Sequence, residues 1–68
     1  MPEVNQTLIR IPEVQRRCGF GRAWLYRLVA QNRFPKPVKI GSRSIAFIET
    51  EVDEWINQRI ADSRRETV

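Results

Sequence analysis

A chain of 68 residues with 41% apolar side chains and a net charge of +4 is one small folded domain rather than a disordered polymer. A domain this short hides only about 60% of the surface its unfolded chain exposes, so it has little room for a catalytic cleft beside a core. It has no histidine and only one cysteine, Cys18, which rules out a Cys/His zinc site and an internal disulfide.

A single cysteine fits a reducing cytosolic compartment. The start Met1-Pro2-Glu3-Val4-Asn5 has neither the basic nor the apolar region of a signal peptide, and no apolar run approaches a membrane span, so no membrane partner is expected. The charge is unevenly placed. Residues 1–48 carry nine basic against two acidic side chains, a net +7, and residues 49–68 carry three against six, a net −3. A cationic module of this kind points to a polyanionic partner, with a solvated surface as the plainer alternative.

Residues 1–8 are expected to be loose, apart from an apolar contact at Leu8-Ile9. Ile11-Pro12-Glu13-Val14-Gln15-Arg16-Arg17 predicts a short helix, with Pro12 in the first turn, Glu13 and the two arginines placed to suit the helix dipole, and Gly19 as its stop. A second helix is expected over Arg22–Gln31. Gly21 would be its N-cap, Phe20 and Leu25 have staple spacing, and Leu25, Leu28 and Val29 form the buried stripe. Asn32 suits a left-handed cap, and Pro35 blocks continuation.

Phe34-Pro35-Lys36-Pro37 reads as an extended connection. Val38-Lys39-Ile40, the turn residues Gly41-Ser42-Arg43-Ser44 and the β-prone Ile45-Ala46-Phe47-Ile48 read together as a hairpin. The last helix is expected to open at Thr50 with a capping-box pattern to Asp53, and to bury Val52, Trp55, Ile56 and Ile60 on one face. From Ser63 onward the tail is polar and expected to fray. The resulting fold class is mainly α: a winged helix-turn-helix over residues 9–62, with a two-stranded β-wing and a closing C-terminal helix.

The second helix turns Ala23, Arg27 and Ala30 away from its buried stripe, with Tyr26 and Trp24 flanking and Arg22 in the leading turn. Small residues permit close approach to base edges, and arginine reaches guanine or phosphate, so Arg22, Ala23, Tyr26 and Arg27 are candidate readers of double-stranded DNA. A simple amphipathic helix with two solvated arginines is the competing reading. Lys36, Lys39 and Arg43 surround the slim Gly41-Ser42 turn and form a candidate wing for a minor groove. Arg16 and Arg17 face either phosphate or acidic neighbours. Trp55 and Phe47 read as core, and Cys18 as a small buried filler.

Catalysis has poor support. The usual general base is missing, and the acids at the start of the last helix match its dipole. Tyr26 alone does not make a strand-transfer enzyme, and Gly19-Phe20-Gly21 has no preceding strand and is not a nucleotide loop. The chain is therefore read as a non-enzymatic binder with no cofactor and no metal.

The segments Ile11-Pro12-Glu13-Val14, Gly19-Phe20-Gly21-Arg22, Leu25-Tyr26-Arg27-Leu28, Arg33-Phe34-Pro35-Lys36-Pro37-Val38-Lys39-Ile40-Gly41 and Val52-Asp53-Glu54-Trp55-Ile56 resemble the AlpA-type prophage regulators over about residues 9–62. That family resembles excisionases and the DNA-binding part of MerR-type regulators. The resemblance implies a winged-helix DNA binder of a mobile element in the bacterial cytosol, associated with the nucleoid. It would regulate an integrase gene, assist excision, or both, with several copies self-associating on DNA and recruiting an integrase. Two departures are Gly21, where the family usually has Ser or Thr, and Phe47-Ile48, where it often has Trp and a basic residue. A protein-interaction module or antirepressor binding an integrase is the alternative, supported by the acidic last helix.

Overall fold

The computed structural model describes residues 6–66. Its elements in chain order are β1 (Leu8–Ile9), α1 (Ile11–Cys18), α2 (Arg22–Ala30), β2 (Val38–Lys39), β3 (Ile45–Ile48) and α3 (Glu49–Glu66). The expectations of a loose segment at residues 1–5 and of a frayed end at 67–68 lie outside the described residues.

The local signals account for the first two helices. Pro12 lies in the first turn of α1, where its missing N–H is harmless. Gly19 stops the helix with φ 77°, and its N–H donates to the Gln15 carbonyl at 2.7 Å. This left-handed conformation costs a side chain with a Cβ about 1–2 kcal/mol, which explains glycine there. Gly21 is the extended N-cap of α2, and Asn32, at φ 59°, takes the left-handed position past its end. Three residues, 19–21, separate the two helices, as a helix-turn-helix requires.

The sheet exceeds the expected two-stranded wing. Its order is β1-β3-β2, all antiparallel, with Leu8 opposite Ile48, Ile9 opposite Phe47, Val38 opposite Ala46, and Lys39 opposite Ile45. β1 has only two residues, too few to show alternation in sequence. Its pairing with β3 buries Ile9, and the Glu49 N–H donates to the Thr7 carbonyl at 2.7 Å just beyond it.

One core joins the layers. Ile9, Ile11, Val14, Leu25, Leu28, Phe34, Phe47 and Val52 are buried together, with Phe20, Val29, Trp55 and Ile56 packed partly buried against them. Phe20 lies edge-on to Phe34 and Trp55 at 6.1 and 6.0 Å between ring centroids. Trp55 lies 4.8 Å from Phe34, and its Nε1–H donates to the Arg33 carbonyl at 2.8 Å.

α3 departs from expectation at both ends. It begins at Glu49, directly after β3, and Thr50 donates its hydroxyl to Gln6 Oε1 at 3.3 Å rather than forming a capping box with Asp53. It is helical from Ser63 to Glu66, where fraying was expected. Its 18 residues span about 27 Å, so it outruns the small core and leaves Ile60 exposed.

Candidate nucleic-acid interface

The cations divide into two groups. Arg17 lies between α1 and α3, donating from Nε to Glu13 at 2.7 Å, from NH2 to Glu49 at 2.8 Å and from NH1 to Asp53 at 3.2 Å. Arg16 bonds Glu13 as well, and Arg59 pairs with Asp62 at 2.7 Å. Hydrogen bonds from Arg16 and Arg17 lower the Glu13 carboxyl to about 2. Of the two partners open to Arg16 and Arg17 in sequence, phosphate or acidic neighbours, the fold supplies acids. Arg17 is thereby occupied in holding α1 to α3, and Arg16 in a pairing within α1.

Arg10, Arg22, Arg27, Arg33, Lys36, Lys39, Arg43 and Arg64 form the second group. All are exposed, and none has an acidic side chain within 4 Å among the described residues. Arg10, Arg22, Tyr26 and Arg43 line one cleft of about 380 Å³, together with buried Ile11 and half-buried Ile45. Arg22 and Tyr26 share a side of α2 by their four-residue spacing. Arg43 comes from the wing turn, closed by the Ile40 N–H donating to the Ser44 carbonyl at 2.9 Å. Arg10 is the N-cap residue of α1. Among the described residues no acidic side chain lines this cleft.

Ala23, Arg27 and Ala30 are exposed along α2, next to that side. The Arg27 guanidinium lies over the Trp24 ring, 5.3 Å from its centroid. Trp24 thus gives Arg27 a preferred direction, a contact of about 0.5–1 kcal/mol at an exposed site. Gly41 and Ser42 are exposed in the turn. A Cβ on Gly41 would meet the Ser44 side chain at an ordinary 3.6 Å, so the backbone does not demand glycine there.

Not every predicted site residue joins the cleft. Lys39 is exposed on β2, and Lys36 lines a separate, larger groove beside Trp55 and α3. Glu51 and Glu54 also line that groove, and its mixed charge suits a polyanion poorly despite its size. Sequence reasoning missed Arg10 and the pairing of Trp24 with Arg27. The i,i+3 spacing of Trp24 and Arg27 was a usable signal. Nothing local marked Arg10, since only the packing of α1 against β3 brings the wing near it.

Cys18 is half-buried rather than fully buried, and burial followed by the nearby Asp53 charge raises its thiol pKa. It remains protonated and inert near neutral pH. None of the described helices is long and apolar enough to cross a membrane.

Three helices, a short inter-helix turn and an antiparallel sheet with a basic hairpin tip define a winged helix-turn-helix protein. Residues 7–60 match the family model described as prophage CP4-57 regulatory protein (AlpA), and the chain belongs to that family. The DNA-binding transcriptional activator AlpA of Escherichia coli (strain K12) is 34% identical over 58 residues, covering 76% of this chain and 83% of its own length. The uncharacterized protein ORF88 of Enterobacteria phage P4 is 35% identical over 66 residues, covering 96% of this chain and 75% of its own. No solved structure matches the chain.

Proposed function

We propose that this protein is a non-catalytic, sequence-specific binder of double-stranded DNA that regulates genes of a prophage or integrative element. One observation carries the reading: Arg10, Arg22, Arg27, Lys39 and Arg43, without acidic partners among the described residues, gather on α2, the wing and the start of α1, while Arg16, Arg17 and Arg59 are engaged by acids elsewhere. A polyanion binds where such charge is free. Membership of the AlpA family, and its Escherichia coli relative, a DNA-binding transcriptional activator, support the same reading.

In the proposed complex α2 enters a major groove and the wing reaches the adjacent minor groove. Ala23 and Arg27 meet base edges, and Lys39, Gly41 and Ser42 approach the backbone from the wing. The action is stoichiometric, on transcription and, through several copies bending DNA and recruiting an integrase, on excision. The alternative of a protein-binding module loses two of the acids of α3, because Glu49 and Asp53 are spent on Arg17.

The test is a footprint on DNA flanking the protein's own gene and the neighbouring attachment site, repeated across a salt series. The expected result is a discrete protected site, with log affinity falling linearly with log salt as phosphate neutralisation releases counterions. Binding insensitive to salt, or no protection on any duplex, would refute the reading.

A further inference from the structure

We propose that the cleft between α2 and the wing holds one phosphate of the DNA backbone, clamped by Arg10, Arg22 and Arg43 with the Tyr26 hydroxyl as a further donor. This rests on the DNA-binding reading above and assigns these residues to the phosphodiester rather than to base edges. The geometric reason is simple. A helix in a major groove and a hairpin in the adjacent minor groove lie on either side of one sugar-phosphate strand, which must pass between them. The concavity between α2 and the wing is where that strand lies, and three arginines from three separate segments line it.

The chemistry of the cleft fits a phosphodiester. Guanidinium is a planar fork that can donate two hydrogen bonds to adjacent phosphate oxygens. Arg10 stands at the N-terminus of α1 and Arg22 is the first residue of α2, so the positive ends of two helices meet here as well. Ile11 and Ile45 lower the local polarity and strengthen each charge contact. Among the described residues no acid lines the cleft to compete for the arginines. Arg43 contributes from the wing turn, so closing on the phosphate also fixes the wing against α2. Sequence discrimination then falls to Ala23 and Arg27.

The experiment measures affinity against salt for the full chain and for Arg10→Gln, Arg22→Gln and Arg43→Gln, on a random-sequence duplex and on the footprinted site. Circular dichroism checks that each variant keeps the parent fold. Each substitution should weaken both duplexes by the same factor, and the three combined should lower the salt slope by about one unit, because one phosphate is shared. Ethylation interference should mark one phosphate, and replacing it by a neutral methylphosphonate should weaken the parent at least as much as any one substitution does, with no further loss from the substitutions. A folded Arg10→Gln protein with the parent's affinity, or an Arg22→Gln loss confined to the footprinted site, would overturn the clamp while leaving DNA binding intact. A parent that binds no duplex would overturn both.

Discussion

Replacing Trp55 by alanine should destabilise the domain without touching its DNA surface. Trp55 packs edge-on against Phe34 and Phe20, and its Nε1–H holds the Arg33 carbonyl at 2.8 Å. Truncating a fully buried tryptophan costs about 3–5 kcal/mol, with each aromatic pair contributing about 0.5–1.5 and a hydrogen bond about 1 kcal/mol. Trp55 is only partly buried, so the lower end applies, about 3 kcal/mol in all. A chain of 68 residues has a total stability of about 3–10 kcal/mol. The melting temperature should therefore fall by about 12–24 °C. Trp55→Phe keeps one aromatic ring but loses the other ring's packing and the N–H donor, so it should cost less than Trp55→Ala and more than the hydrogen bond alone, about 1 kcal/mol. The assay is thermal melting beside DNA binding measured well below each variant's transition, where affinity should equal the parent's. A Trp55→Ala protein that melts like the parent yet fails to bind DNA would show that Trp55 contacts the ligand, and would refute this placement of α3.

Three further outcomes are expected. Arg27→Ala should weaken binding to the footprinted site by about 1–3 kcal/mol while changing random-duplex affinity far less, and equal losses on both would mark it as a phosphate contact. Gly19→Ala has open space for its methyl, so only the φ of 77° opposes it; urea denaturation should show a loss of about 1–2 kcal/mol with an unchanged slope. The Glu13 carboxyl titrates at about 2 in the folded chain against an ordinary 4.5, so its ion pairs stabilise above the ordinary value and are lost as pH falls toward 2. The melting difference between the parent and Glu13→Gln should accordingly be full at pH 6 and vanish toward pH 2, and a difference independent of pH would refute the pairing.

Local chemistry made much of this protein legible in its sequence. Pro12, Gly19, Gly21 and Asn32 set the limits of α1 and α2 because each acts through its own backbone conformation. The alternation around Gly41-Ser42 specified the hairpin, and the charge asymmetry foretold a basic face on the first three-quarters of the chain. Tertiary structure decided what no short window can hold. β1 exists because Leu8 and Ile9 find Ile48 and Phe47 some 40 residues away. Arg17 became a strut rather than a surface cation because α3 brings Glu49 and Asp53 to it across 32 and 36 residues. Ile60 had the periodicity of a core residue, but the core ends before α3 does. Arg10 carried no local signal and entered the candidate site only when α1 packed against β3 and set it beside Arg22 and Arg43. Helical and strand periodicity fix which way a side chain faces from its own element. Which charge it then meets depends on distant elements and is settled by the packing of the shared core.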